Sequence, residues 1–176
     1  MQLTTDRLII KLVTADDLED IHALHSIPEV DQYNTAGIPE SIAVTKAWIG
    51  EWLVEHQKEK VEKYFLAVFL KNHQTFIGMM GLKLSAAKYN SGEIWYKFLP
   101  AHWGSGYATE AAKKLIRFGF EDLKLHRIEA GCAVENIGSV RVLEKAGMTL
   151  EGRKRQTLPL KTGWADNFEY GILSTD

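Results

Sequence analysis

The chain has 176 residues, of which 45% are hydrophobic and 25% charged, with a formal net charge of -2. These values suit one globular domain, 1–176, rather than a disordered segment, and they lack the basic excess that nucleic acid partners require. The longest apolar stretch, Tyr64 to Leu70, is too short to cross a bilayer, MQLTTDRLIIKL has no long apolar run, and Cys132 is the only cysteine. No membrane partner, metal or disulfide is therefore expected, and the expected compartment is the cytoplasm.

Arg7 to Leu12 reads as a first strand. Thr14 caps a helix with Leu18, Ile21, His22 and His25 at helical spacing, and Ser41 opens a second helix to about Lys60. The end of that helix, Glu55-His-Gln-Lys-Glu-Lys, reads as a solvated face. From Tyr64 the period changes. Tyr64 to Leu70 and Phe76 to Leu84 form a hairpin around Lys71-Asn-His-Gln-Thr, and Gly78 and Gly81 predict a bulge or close backbone approach. A loop from Ala86 to Ser91 precedes a strand from Glu93 to Leu99.

The segment after Pro100 carries the chemistry. His102-Trp-Gly-Ser-Gly-Tyr leads into a helix from about Tyr107 to Leu123, followed by a strand from Ile128 to Val134. A short helix from Ile137 to Ala146 stops at Gly147. Two closing strands, Thr149 to about Leu158 and Asn167 to Leu173, flank a loop containing Lys161-Thr-Gly-Trp. The order is β-α-α-β-β-β-α-β-α-β-β, and its adjacent hairpins predict a mixed sheet.

At the start of a helix the first amides lack internal partners, and glycines let an anion approach them. Gly104 and Gly106 thus suit a pyrophosphate cradle, although a tight strand-to-helix turn explains the same letters. A dinucleotide fingerprint would need a third glycine where Thr109 stands, and the Gly-Lys-Ser/Thr of a P-loop is absent.

WGSGYATEA after a strand and a proline resembles motif A of the GNAT acetyltransferases, Gln/Arg-x-x-Gly-x-Gly/Ala, with Trp103 in the Gln/Arg place, Gly106 as the first glycine and Ala108 as the small residue. VENIGSVRVLEKAGM and GWADNFEYGIL resemble the branch that includes the ribosomal-protein-alanine N-acetyltransferases, so the likeness runs along the whole chain. It implies an α/β (α+β) GNAT fold: a mixed, mostly antiparallel twisted sheet of six to seven strands, about four helices and a splayed central strand pair. It also implies acetyl transfer from acetyl-CoA to a primary amine, on a small molecule or a protein N-terminus, and is compatible with a homodimer. Tyr96, Lys97 and Phe98 match the strand whose backbone pairs with pantetheine, and Trp103, Gly104, Ser105, Gly106, Tyr107, Ala108 and Thr109 match the pyrophosphate loop. Asn136 matches the residue holding the pantetheine side, and Ser139 the hydroxyl that protonates the leaving thiolate. Independently, Asn136 is placed to cap a helix whose first turn carries Ser139, where negative charge is stabilised.

Three catalytic identities of related branches are missing: Gly131 stands for a glutamate, Leu143 for a tyrosine, and Leu158 lies near a further carboxylate position. Glu93, Glu135, His102 and His126 remain as acid/base candidates, with Glu93 preferred because its strand leads into the cofactor cleft. Deprotonating a lysine-like amine at pH 7 costs roughly 4.6 kcal/mol and an α-amine about 1. A site without an evident base therefore favours the α-amine or another weakly basic amine. The competing reading is a non-catalytic acetyl-CoA-binding sensor module.

Overall fold

The computed structural model describes Met1–Asp176. Eight strands form one sheet: β1 (Gln2–Thr4), β2 (Leu8–Leu12), β3 (Lys63–Leu70), β4 (Phe76–Leu84), β5 (Ser91–Phe98), β6 (Arg127–Ala133), β7 (Thr149–Leu160) and β8 (Gly163–Leu173). Their order is β1-β2-β3-β4-β5-β6-β8-β7. Every pairing is antiparallel except β5 with β6. Helices α1 (Leu18–His25), α2 (Pro28–Asp31) and α3 (Ile42–His56) cover one face, and α4 (Tyr107–Glu121) and α5 (Ile137–Ala146) the other. No helix is long and apolar enough to cross a membrane.

The unbroken apolar runs of β3 and β4 follow from burial on both faces. Leu66, Val68, Met80 and Leu82 enter a core with Leu115 and Leu143 of α4 and α5, whereas Ala67 and Met79 face Ile21, Leu24 and Ile49 of α1 and α3. Leu115 is fully buried, so Leu115→Ala would cost about 2–5 kcal/mol. The glycines of β4 answer to close approach: a Cβ on Gly78 would strike the Lys97 carbonyl, and one on Gly81 the Trp95 indole. The register shift falls beside Gly78 only: between Val68 and Phe69 of β3 the ladder skips Ile77 of β4.

Three local readings change. The sheet gains β1, a three-residue strand whose partners Ile9 to Lys11 lie just beyond a short turn. The closing hairpin is tighter than the sequence pattern suggests, with only Lys161-Thr162 between β7 and β8. Its first strand is almost wholly exposed and so shows no burial period to mark its end. The polar end of α3 is not simply a solvated face, because buried Glu55 accepts the Glu62 and Lys63 amides and pairs with Lys58. Those bonds stop the helix at His56 and turn the chain into β3.

Candidate active site

β5 and β6 pair only where Ser91–Glu93 lie beside Arg127–Glu129. Beyond Glu93, β5 stays with β4 as far as Phe98 and β6 follows β8 as far as Ala133, so the central strands diverge. The gap is a cleft of about 1440 Å³ lined by Ile94 to Phe98 on one side and Ala130 to Ala133 on the other. The main-chain groups of Tyr96 and the Phe98 amide, which would have met β6, are thereby left for an extended, amide-rich ligand, whereas the Lys97 main chain faces β4.

The glycine loop closes one end of this cleft. Gly104 and Gly106 have φ of 73° and 80°, left-handed values that side chains tolerate poorly. Gly106 begins α4 with no side-chain cap, and the Glu110 amide makes the first helical bond, to the Gly106 carbonyl. The amides of Tyr107, Ala108 and Thr109 therefore have no partner within the helix. Trp103, in the usual Gln/Arg place, turns its indole N–H back to the Phe98 carbonyl at 2.7 Å, tying the loop to the end of β5.

Of the loop residues, Trp103, Gly104, Gly106, Tyr107, Ala108 and Thr109 line the cleft. Ser105 does not: it is exposed and offers its carbonyl to Arg7 Nη1 at 3.0 Å. Arg7 also donates to Glu110 at 2.6 Å and stacks on Tyr107 at 4.4 Å, so the residue just before β2 braces the loop from outside. Lys113, Arg141 and Lys145 add cations to the same end. Uncapped amides, flanking cations and an open strand edge together fit the pyrophosphate, phosphate and pantetheine of acetyl-CoA.

Asn136 caps α5, its Oδ1 accepting the Ser139 amide at 3.1 Å. Ser139 Oγ lies 2.7 Å from the Tyr96 hydroxyl. A tyrosine thus reaches this serine from β5, although Leu143 fills the position from which α5 supplies one in related branches. Burial raises the Tyr96 phenol above its ordinary value and pushes the Cys132 thiol up to about 11. Both are neutral near pH 7, leaving Tyr96 and Ser139 as coupled O–H donors.

Alternation along β5 sends Lys97 to the opposite face, toward α1. Its Nζ lies 3.3 Å from His25 Nδ1, while His25 Nε2 lies 3.2 Å from Met79 Sδ. Burial, with Lys97 nearby, lowers His25 to about 3, and burial lowers Lys97 to about 8 against the opposing pull of Asp31. Asp31 is itself buried and pairs with Lys161 of the β7–β8 turn at 2.5 Å. Tyr33 donates to the Glu135 carbonyl at 3.2 Å, joining the segment after α2 to the β6–α5 connection. Trp48, Trp52 and Glu29 complete this second end.

The preferred acid/base candidate of the sequence does not reach the cleft. Glu93 is exposed where β5 and β6 are still paired, opposite Lys83 and Glu129. Its strand leads to the cleft, but the splay begins one residue later. His126 is exposed beyond the same paired end, just before β6, while His102 and Glu135 line the cleft. Sequence reading missed the side chains of Tyr96 and Lys97, and His25, Arg7, Lys113, Arg141 and Lys145. The two-residue period of β5 could have separated Tyr96 from Lys97; nothing local paired either with its partner.

The profile of the acetyltransferase (GNAT) domain family matches residues 7–149. An uncharacterised N-acetyltransferase of Bacillus subtilis, YnaD, is 31% identical over 100% of this chain and 99% of its own length. Another from the same organism, YoaA, is 34% identical over 88% of this chain and 86% of its own. A crystal structure of a GNAT-family acetyltransferase from Bacillus anthracis superposes with a TM-score of 0.87 at 29% identity, covering all of both chains. Spermidine N-acetyltransferase from Vibrio cholerae, solved with CoA and spermine, superposes with a TM-score of 0.86 over 97% of this chain and 98% of its own. At 22% identity that likeness concerns the fold alone.

Proposed function

The chain belongs to the GNAT acetyltransferase family, and from that premise we propose that it acetylates the α-amine of a peptide or another weakly basic primary amine. It is an acetyl-CoA-dependent N-acetyltransferase. The observation that carries the proposal is the two-ended cleft: an open β5 edge running from uncapped helix amides to a pocket bordered by Trp48, Trp52 and Tyr33.

Acetyl-CoA supplies an activated acyl group as a thioester. In our reading the amides of Gly106 to Thr109 bind the pyrophosphate, with Lys113, Arg141 and Lys145 within reach of its other phosphate. The Tyr96 main chain and the Phe98 amide hold the pantetheine by hydrogen bonds, and Asn136 fixes the first turn of α5 on the other wall. Ser139, backed by the Tyr96 hydroxyl at 2.7 Å and the positive end of α5, donates to the departing sulfur. No role is given to the Glu93 side chain, because the cleft opens beyond it.

The preference for a weakly basic acceptor rests on proton cost. An α-amine gives up its proton at pH 7 for about 1 kcal/mol, whereas a lysine-like amine needs roughly 4.6. Thiol release from acetyl-CoA, followed over N-terminal peptides, small α-amines and polyamines, tests the proposal. The α-amine set should give the highest kcat/KM at pH 7; faster polyamine turnover would overturn the preference.

A further inference from the structure

Lys97 has an unusual setting for a lysine. It is half-buried in the cleft, and no carboxylate forms an ion pair with it. One oxygen of the buried carboxylate nearby, Asp31 Oδ2, is held by Lys161 at 2.5 Å from the turn of the closing hairpin. Its direct polar partner is His25, and the hydrogen bonding fixes that ring's tautomer. A thioether sulfur has no hydrogen to give, so His25 Nε2 carries the proton toward Met79 Sδ at 3.2 Å. Nδ1 therefore presents a lone pair, and Lys97 Nζ donates one N–H to it at 3.3 Å. A neutral Lys97 held this way keeps its own lone pair free for the cleft.

We propose that Lys97, oriented by His25, is the general base that takes the proton from the acceptor nitrogen. This rests on the acceptor reading above and supplies the base that the sequence lacked. The neutral acceptor amine attacks the thioester carbon; as the C–N bond forms, its nitrogen becomes cationic and passes one proton to Lys97 Nζ. The C–S bond breaks, and the thiolate takes a proton from the Tyr96–Ser139 hydroxyl pair. Lys97 then gives its proton to solvent through the cleft, and the hydroxyl pair regains one from there.

The charged and titratable groups around Lys97 suit this duty. His25 faces it from α1, with His22 beyond His25 and turned to Thr45; Glu29 and Asp31 come from α2, and Lys161 pairs with Asp31. Burial outweighs the pull of Asp31, and the resulting value of about 8 lies close to that of a free α-amine. Lys161 holds Asp31 Oδ2, while Asp31 Oδ1 has no hydrogen-bond partner and the carboxylate acts on Lys97 through its field rather than by direct contact.

The test combines a readout that needs no turnover with one that does. Competitive labelling of the apo protein with acetic anhydride across pH, read peptide by peptide by mass spectrometry, should give Lys97 a midpoint near pH 8. Surface lysines should titrate near 10.4. With a saturating α-amine peptide, Lys97→Met and Lys97→Arg should each lose about a hundredfold in kcat while binding CoA as the wild type does. Arginine keeps the charge but cannot accept a proton.

A labelling midpoint near 10 would overturn the assignment, as would a Lys97→Arg variant with intact kcat or a Lys97→Met variant that changes only KM. Retained CoA-induced thermal stabilisation would show that each variant is folded. Wild-type turnover separates the two proposals. Absence of thiol release with every amine overturns the acceptor reading, whereas turnover that survives Lys97→Arg overturns only the role of Lys97.

Discussion

The two ends of the cleft are built on different principles. The end toward α4 is made largely of main chain: two left-handed glycines, the first amides of a helix and the unpaired edge of β5. The end toward α1 and α2 is made of side chains from distant segments, with His25, Asp31, Lys97 and Lys161 held in a chain of polar contacts and fields. A main-chain site recognises what every reaction cycle shares, the cofactor's phosphates and amides. A side-chain site can change its acceptor through a few substitutions without disturbing the sheet.

This contrast is most sharply tested at Gly106. Its φ of 80° excludes a β-branched residue, so Gly106→Val should abolish CoA binding at the main-chain end while leaving the end toward α1 and α2 assembled. In the wild type, CoA at a hundredfold over Kd should add about 2.7 kcal/mol of stability. Differential scanning fluorimetry would read the loss, and a fully retained shift would show that the phosphates bind elsewhere.

Ser139 and Tyr96 bridge the two walls, and their effect should appear in the rate rather than in cofactor binding. Ser139→Ala is expected to lower kcat by about tenfold to a hundredfold with acetyl-CoA affinity nearly unchanged. Because the hydroxyls share one hydrogen bond, adding Tyr96→Phe should cost less than the two single effects combined. Full additivity in steady-state rates, or loss of CoA affinity in titration calorimetry, would break the pairing.

The end toward α1 and α2 should also make stability depend on pH. His25 titrates at about 3 when folded and near 6.5 when unfolded, so the unfolded chain binds the extra proton between those values. Its contribution is fully present above pH 6.5 and is lost as pH falls toward 3, at no more than about 1.4 kcal/mol per pH unit. Urea denaturation of wild type and His25→Gln from pH 7 to 4 should show a shallower decline in the variant.

The smallest expected effect has an unusual sign. Lys97 is lowered from 10.5 to about 8 on folding, so its stability contribution is present above pH 10.5 and lost as pH falls to 8. Below that, a half-buried ammonium without an ion-pair partner destabilises the fold. Lys97→Met should therefore raise stability at pH 7 by about 1 kcal/mol while removing activity. A lower thermal midpoint for the variant at pH 7 would mean that packing around the lysine stem outweighs this relief.

Elements with a strong local signal were legible in the chain: the β3–β4 hairpin, the glycine loop leading into α4, and Asn136 capping α5. Each depends on contacts within a few residues, on strand period, left-handed glycines or a side chain bonding to the next turn. Harder elements had weak local contrast. β1 is only three residues long, and β7 is exposed along nearly all its length, so neither alternates clearly between core and solvent.

Sequence alone determined that a glycine turn leads from a buried strand into a helix and that a hydroxyl sits in the first turn of α5, because backbone conformation and helix capping are short-range. Tertiary structure alone decided that Tyr96 reaches Ser139 across 43 positions, that Lys97 reaches His25 across 72, and that the splay opens just past Glu93. It also decided which groups titrate far from their usual values. Burial and neighbouring charge set those values, and both arise when segments remote in the chain pack against one another.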